Sequence, residues 1–447
     1  MYGYWGGKRM NKADRKLIRR SWLSFLIAWG LAGGSAIAEE EPNQLKQGFT
    51  TGSIELKIRL RHESVTDSAS ADADALTSRT RLDLKSGEFF NGFSARAQID
   101  NVLAWGSVDY STGETDRGTA VIADPEGTEL NQLYVKLSNL PGTEIVLGRQ
   151  SLELDNERFV GSLEFRQNAQ SFDAFSVTNS SLPEWDMYYS YVGNVNRVFG
   201  DDSDEQFDPD DLRFGSGQMR PGPQLGDHEQ DTHLLNLRYR ALSAGDITAY
   251  AYLIDNEDFQ RFSTDTYGAR FSGTYKPGAV QLLYTAEYAR QSNAGSNPAS
   301  YDADYYLLEA GLSHRRKAIR IGHEVLGSDN NSGFVTPLGT LHQFQGWADK
   351  FAILTPNAGV RDSYVSLSLR TKGLRVRSVY HLFRTDAGNE DIGDEFDFEI
   401  QKIFQQGKYR LNFTYARYEA KIDRNIGPGG LENDTSRTFL TFAVRFL

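Results

Sequence analysis

Apolar and charged residues alternate along many short segments of this chain, and this period of two constrains the fold more than any other feature. In the first such segment, Ile54 to Arg61, every second residue is aliphatic and the residues between them are charged. Successive side chains of a β-strand point to opposite faces, so the pattern predicts strands with one apolar and one charged face. Such strands fit either a soluble sandwich or a membrane barrel, and the period alone does not separate the two.

The connections between eighteen such segments distinguish the two architectures. Short turns such as residues 276–278 and 371–373 alternate with longer segments such as 103–127 and 327–360. Outer-membrane barrels have short periplasmic turns and longer extracellular loops, whereas a sandwich has no reason to alternate. We therefore predict an all-β fold, a single transmembrane antiparallel β-barrel of about 18 strands. Short periplasmic turns, long extracellular loops and two periplasmic termini follow from this prediction.

Composition excludes several other classes of protein. A membrane-spanning helix needs about 20 consecutive apolar residues. A hydrophobic content of 39% and a mean hydropathy of −0.51 therefore exclude a bundle of such helices. The chain has no cysteine, which excludes disulfides, thiolate metal sites and cysteine nucleophiles.

The first 38 residues have the order of parts that a secretory signal peptide has. A basic region precedes the apolar stretch Trp22 to Leu31, and Ala36-Ile37-Ala38 forms a small-residue cleavage site. We predict a signal peptide at 1–38, an N-terminal periplasmic extension at 39–50 and the barrel at 51–447; translation starts at Met1 or Met10. Without the signal, 41 basic and 59 acidic residues give a formal charge of −18, which does not suit nucleic-acid binding.

Several ordered stretches of the chain carry a family resemblance. They are Leu147-Gly148-Arg149-Gln150, the segments 154–161 (LDNERFVG), 165–168 (FRQN), 324–329 (EVLGSD), 336–342 (TPLGTLH) and 346–351 (GWADKF). Together they resemble the alginate export family of outer-membrane channels over most of the mature chain. The resemblance implies an eighteen-stranded barrel whose arginine-rich lumen passes a polyanionic uronate polysaccharide.

Basic residues are in excess on the face that we predict to line the lumen. That face carries 18 basic and 12 acidic strand positions, although the chain as a whole is acidic. A guanidinium group matches a carboxylate with two parallel hydrogen bonds, so the excess predicts passage of anions. The predicted pore-lining and substrate-binding residues are Arg59, Arg81, Arg96, Arg149, Arg158, Arg166, Arg238, Arg240, Arg270, Arg370, Arg375 and Arg377. The alternative is that these arginines pair with carboxylates and brace the wall.

Two long segments are candidates for loops that fold into the barrel. Residues 155–167 carry Arg158 and Arg166, which either contact substrate at a constriction or pin the loop through Asp155, Glu157 and Glu164. Residues 327–360 are apolar for a loop, and we expect them to plug or gate the pore, because long loops in compact domains are usually functional.

The acidic segment 201–231 is expected to be a solvated external loop. The alternative is a divalent-cation site, because carboxylates are the ligands that Ca²⁺ prefers. The candidate ligands are Asp201, Asp202, Asp204 and Asp208.

The sequence shows no catalytic or cofactor-binding motif, so we predict no enzyme activity, no catalytic residue and no cofactor. A channel, an outer-membrane enzyme such as a lipase, and a structural barrel or adhesin remain. Eighteen strands leave an aqueous channel, which favours the first. We predict a channel for anionic saccharides, possibly alginate; the alternative is a substrate-selective porin for small organic anions. Expected partners are outer-membrane lipids and lipopolysaccharide, the anionic substrate and the barrel-assembly machinery, but no nucleic acid.

Overall fold

The computed structural model describes residues 41–106, 108–113, 117–200, 203, 225–351, 355–427 and 429–446. The predicted signal peptide lies outside these residues. So do the four candidate cation ligands Asp201, Asp202, Asp204 and Asp208. The signal-peptide and cation-site predictions therefore stay predictions.

Eighteen antiparallel strands form one closed barrel, which confirms the fold predicted from the alternating pattern. The last strand pairs with the first, with Leu56 opposite Phe446, so the ladder has no free edge. The barrel strands are β1 (Ser53–Asp67), β2 (Ala73–Lys85), β3 (Phe93–Ala104), β4 (Gly127–Leu140), β5 (Thr143–Gln150), β6 (Ser171–Asn179), β7 (Trp185–Asn196), β8 (Asp227–Tyr239), β9 (Asp246–Asn256), β10 (Thr264–Tyr275), β11 (Val280–Asn293), β12 (Asp302–His314), β13 (Lys317–Leu326), β16 (Val360–Thr371), β17 (Leu374–Arg384), β18 (Asp391–Phe404), β19 (Tyr409–Ala420) and β20 (Thr435–Phe446). A two-residue ladder between β14 (Ser328–Asp329) and β15 (Ser332–Gly333) lies in a loop.

The two faces of the barrel wall differ as the period of two requires. Aliphatic side chains cover the outer face, where Leu60, Leu308 and Ile321 are 39%, 62% and 60% exposed. Charged residues of the inner face are buried, as Arg61 and Glu63 at 3% and 1% exposed show. An outer face of this kind suits a hydrocarbon environment, because apolar surface is stable there while a closed ladder satisfies the backbone.

The connections follow the predicted sides of the barrel, with one exception. The start of β1, the end of β20 and the short turns lie at one end, and the longer loops lie at the other. The connection between β1 and β2 is an exception at the loop end, because only residues 68–72 separate these strands. Of the polar residues that flank it, Glu63 of β1 and Thr77 of β2 lie on the inner face, each 1% exposed. Glu63 accepts a hydrogen bond from Arg437 Nη1 at 2.7 Å.

Helical structure is short in the described part of the chain. Helix α1 (Glu41–Thr50) precedes β1, and the Gly48 carbonyl accepts a hydrogen bond from the Gly87 amide at 2.7 Å at the short-turn end. Three single-turn helices occupy Gln260–Phe262, Leu341–Gln343 and Gln405–Gly407. None of the described helices has the length and apolar character that crossing a bilayer requires.

Two long loops fold into the lumen and pack on each other. They are the β5–β6 loop, residues 151–170, and the β13–β16 loop, residues 327–359. The Gly161 amide donates to the Leu338 carbonyl, and the Thr340 amide donates to the Glu157 carbonyl, each at 2.9 Å. The two loops therefore form one body inside the barrel.

An aromatic cluster fixes this body to the wall. The Phe159 ring lies 5.2 Å from the rings of Tyr250 and Tyr305 and 6.0 Å from that of Phe334, measured between centroids. Phe159 is 8% exposed, so its ring is removed from water. Aromatic pairs at these separations add to the free energy of apolar burial.

Candidate functional site

Two cavities meet at a constriction that the inward loops build. The outer cavity, on the loop side, has a volume of about 780 Å³, and the inner cavity has about 280 Å³. Phe165, Thr340 and His342 line both. The rings of Phe165 and His342 are stacked with centroids 3.5 Å apart. This pair of rings, one from each loop, lies where the two cavities meet.

Arginines of β1 hold the backbone of the β5–β6 loop at the constriction. Arg59 donates to Gln167 Oε1 at 2.8 Å and to the Glu164 carbonyl at 2.9 Å. Arg61 donates to the Phe165 carbonyl at 2.6 Å and lies 4.4 Å from the centroid of its ring. The guanidinium of Arg59, a predicted pore-lining residue, therefore bonds to the loop.

Arg158 is a pin between the wall and both loops. Its Nε donates to Glu324 Oε1 of β13 at 2.9 Å, and its Nη2 donates to Gln345 Oε1 at 2.9 Å. The side chain is 1% exposed, so a solute does not reach it. The prediction that Arg158 lines the pore is therefore wrong, and the pinning alternative holds with Glu324 as the partner.

Arg166 has the same role on the other side of the constriction. It lies 3.1 Å from Glu63 Oε2 of β1 and 2.7 Å from Asp349 Oδ2 of the β13–β16 loop, and it is 7% exposed. Burial by itself would raise the pKa of Asp349, but the cations beside it, His342 among them, hold that pKa well below its ordinary value. Arg166 binds loop to wall, which corrects its assignment to substrate.

Glu164 is the centre of an ion-pair network at the inner cavity. Arg79 Nη1 lies 3.2 Å from Glu164 Oε2, and Arg81 bonds to both Glu164 and Asp100. Burial by itself would raise the pKa of Glu164, but Arg79 and Arg81 lower it to about 2. Arg81, a predicted pore-lining residue, has its charge compensated by these two carboxylates.

Four further predicted arginines also form ion pairs inside the barrel. The pairs are Arg96 with Asp83, Arg238 with Asp155, Arg240 with Asp186 and Arg270 with Glu287. Their N–O distances run from 2.5 to 3.1 Å. These contacts match the alternative in which lumenal charges brace the wall.

Arg149 departs from the predicted face. It lies opposite Leu133 of β4 and Asp173 of β6, and it shares its face with Leu147, which is 40% exposed on the outside. Its Nε lies 2.7 Å from Asp173 Oδ1. Arg149 therefore links β5 to β6 outside the lumen.

Arg370, Arg375 and Arg377 differ from the other predicted arginines. Among the residues that the structure describes, no carboxylate oxygen lies within 4.0 Å of their guanidinium groups. Arg375 and Arg377 line the inner cavity, and Arg370 lies opposite Arg375 in the ladder. Arg377 lies 5.2 Å from the centre of the Trp347 ring. These three guanidinium groups therefore have no carboxylate at ion-pair distance in the described part of the chain.

Acidic residues also line the inner cavity, and the sequence patterns did not single them out for substrate contact. They are Glu153, Glu157, Glu164 and Glu399. Glu153 accepts a hydrogen bond from Ser162 Oγ at 2.5 Å, and Glu157 accepts one from Thr340 Oγ1 at 2.6 Å. Burial raises the pKa of Glu157, and the charges of Glu153 and Glu164 add to this. In the sequence, the only feature that indicates Glu153 and Glu157 as lining residues is their spacing within one loop.

The outer cavity contains a buried arginine that the sequence reasoning missed. Arg197, directly after β7, is 7% exposed and donates to the Pro337 carbonyl at 3.1 Å. Burial lowers its pKa to about 10, so the group is charged at neutral pH. It adds a cation to the wall of the cavity before the constriction.

The described residues contain no cluster of three or more potential metal ligands. The inner cavity is lined by hydrogen-bonding and charged groups.

Comparison with known proteins places the chain by fold. No protein-family model matches the sequence, and no curated protein matches it either. The structure of OccK9 (OpdG) from Pseudomonas aeruginosa has a TM-score of 0.65 and 13% identity, over 89% of this chain and 100% of that chain. OccAB2 from Acinetobacter baumannii has a TM-score of 0.64 and 17% identity, over 90% of this chain and 100% of that chain. OccD3 (OpdP) from P. aeruginosa has a TM-score of 0.59 and 17% identity, over 88% of this chain and 92% of that chain.

The fold is thus that of an outer-membrane β-barrel. The comparisons do not show the alginate export family, so the resemblance to that family stays a prediction.

Proposed function

We propose that this protein is an outer-membrane channel that admits small organic solutes carrying a carboxylate. The observation that carries the proposal is the 280 Å³ inner cavity, in which Arg375 and Arg377 lack a close carboxylate partner among the described residues. A guanidinium group offers a rigid pair of donors to a carboxylate and stays charged at all physiological pH values.

The constriction favours small solutes over polymers. The stacked rings of Phe165 and His342 lie between the two cavities. Each ring belongs to a loop that is pinned by buried ion pairs, Arg166 with Asp349 among them. A polymer would hold these loop contacts apart for as long as its chain occupies the narrowing, whereas a small solute passes the narrowing once.

Tracer influx into proteoliposomes tests the proposal with two solutes of equal size. Glucuronate and glucose differ at one carbon, which is a carboxylate in the first and a hydroxymethyl group in the second. We expect R375Q/R377Q to lower glucuronate influx several-fold relative to glucose influx. R240Q is the matched control, because Arg240 is paired with Asp186 and does not line the inner cavity. An unchanged ratio in R375Q/R377Q would contradict the carboxylate preference.

A uronate polysaccharide is the second candidate, and one observation favours it. The stretches that resemble the alginate export family, 154–161, 165–168, 336–342 and 346–351, lie in the two loops that form the constriction. Current block by uronate oligomers of graded length separates the candidates. A polymer channel shows block that strengthens with oligomer length, and a small-solute channel shows block that is lost beyond one or two sugars.

A further inference from the structure

We infer that the inner cavity selects zwitterions, with a carboxylate held at Arg375 and Arg377 and an ammonium group held at Glu153 and Glu157. This inference rests on the proposed function, because it adds a second charged group to the same small carboxylate solute. The arginines belong to β17 and the two glutamates to the β5–β6 loop, and all four line one cavity. The cavity therefore has charges of both signs on separate elements.

The negative side of the cavity is not compensated by the protein. Four carboxylates and two guanidinium groups line the cavity. Glu164 is neutralised by Arg79 and Arg81, which approach it from β2. For Glu153 and Glu157, the described residues place no lysine or arginine nitrogen within 4.0 Å. Glu153 accepts from the Ser162 hydroxyl, and Glu157 accepts from the Thr340 hydroxyl and the Ser162 backbone amide, all of them neutral donors. A cationic group on the solute would supply the missing partner.

The positive side keeps a net charge as well. Glu399 lies opposite Arg377 in the ladder between β17 and β18 and offsets part of its charge. Arg375 has no such neighbour in its register, where it faces Gln401 and Arg370. Its buried Nε has no acceptor, and Asn412 Oδ1 of the same cavity has no donor, among the described residues. The positive charge of Arg375 is therefore the one that a solute carboxylate meets in this cavity.

The charge arrangement discriminates among solutes by sign. A simple anion is attracted by the two arginines and repelled by Glu153 and Glu157. A simple cation is attracted by the two glutamates and repelled by the arginines. A zwitterion is attracted by both walls of the cavity. These electrostatic attractions are stronger in a narrow site than in bulk water, because fewer waters screen them. The volume of 280 Å³ corresponds to about nine waters at roughly 30 Å³ each, which suits a solute of amino-acid size.

Three probes that share one skeleton test the inference. They are glutamine, which is a zwitterion; glutaramate, which lacks its ammonium group; and 4-aminobutanamide, which lacks its carboxylate. We measure tracer influx of each into proteoliposomes and subtract influx into vesicles without protein. We expect glutamine to enter at least threefold faster than either analogue.

Paired variants separate the two charged walls. E153Q/E157Q should remove the preference for glutamine over glutaramate, and R375Q/R377Q should remove its preference over 4-aminobutanamide. E144Q is the control for the first variant, because Glu144 pairs with Lys136 and does not line the cavity. R240Q is the control for the second. Resistance to detergent before boiling shows that each variant is folded.

The outcomes distinguish this inference from the proposed function. If glutaramate enters the unmodified channel as fast as glutamine or faster, the zwitterion preference is wrong and the carboxylate channel stands. If 4-aminobutanamide is fastest, the acidic wall dominates and both the inference and the carboxylate preference fail. If neither glucuronate nor any of the three probes exceeds the empty-vesicle rate, the proposed function itself fails.

Discussion

Arginine side chains of the lumen divide into two groups by what they contact. Arg158 and Arg166 are buried and bonded to carboxylates, and they connect loops to the wall. Arg375 and Arg377 line a cavity without a close carboxylate partner in the described chain. Removing one member of a buried pair leaves an uncompensated charge, whereas removing an unpaired arginine changes recognition. Replacing an arginine of the first group therefore affects stability, and replacing one of the second group affects recognition.

At the residue scale we expect R158A to release both loops. Loss of one partner from a buried pair costs about 3 to 5 kcal/mol, because Glu324 stays buried without its cation. Trypsin should then cut the β5–β6 loop of the folded barrel much faster, and single-channel conductance should rise. The half-exposed pair of Arg240 with Asp186 is the control, since such pairs contribute about 0 to 1 kcal/mol. Equal proteolysis of R158A and R240A would contradict the pinning role.

Glu164 gives a pH dependence with a defined sign. Its pKa falls from the ordinary 4.5 to about 2 in the folded protein, so the folded state favours the charged form. The stabilisation is complete above pH 4.5 and is lost as the pH falls through about 2. We compare the temperature of the gel-mobility transition in the unmodified protein and in E164Q. The difference should be constant from pH 7 to 5 and shrink as the pH falls toward 2; a difference independent of pH would contradict this assignment.

At the element scale, the function depends on two loops that behave as one unit. The β5–β6 loop inserts Phe159 into an aromatic pocket of the wall, and the β13–β16 loop covers it with Phe334. Backbone hydrogen bonds from Gly161 and Thr340 join the loops. The constriction is therefore set by how firmly this unit is held and not by the barrel diameter.

We expect F159A to loosen the constriction without unfolding the barrel. Truncating a buried phenylalanine costs about 3 to 5 kcal/mol. This cost falls on loop docking, because Phe159 belongs to a loop and not to the hydrogen-bonded ladder. Single-channel recordings should show larger and noisier conductance. F396A is the matched control, because Phe396 is 43% exposed on the outer face; the same noise in F396A would argue against a specific anchor.

At the scale of the whole molecule, closure of the ladder dominates stability. Each barrel strand is bonded on both sides, including β1 to β20. A closed ladder presents no edge at which a detergent-solubilised chain begins to unpair. Loop contacts inside the lumen add to this stability without being needed for it.

We expect the purified chain to be heat-modifiable. An unboiled sample in dodecyl sulfate should run as a compact barrel, and a boiled sample should run more slowly as an extended chain. F159A should show the same two positions, because its barrel ladder is intact. Identical mobility before and after boiling would contradict a closed barrel.

The sequence by itself determined the wall of this protein. A period of two, as in Ile54 to Arg61, assigns each residue to lipid or lumen, because adjacent strand residues point in opposite directions. Eighteen such segments with alternating connections predict a barrel, and the structure confirms this fold. The β1–β2 connection departs from the alternation, because β1 continues to Asp67 and β2 begins at Ala73, which leaves only residues 68–72 between them.

Only the tertiary structure decided which charges are free. Arg158 finds Glu324 across 166 positions of sequence, and Arg166 finds Glu63 across 103. No local pattern encodes such a partner, since it depends on how two loops fold back into the lumen. The acidic wall of Glu153 and Glu157 became visible only when the same folding brought it into one cavity with Arg375 and Arg377. Strand periodicity is a local property of the backbone, whereas charge compensation is a property of the closed barrel.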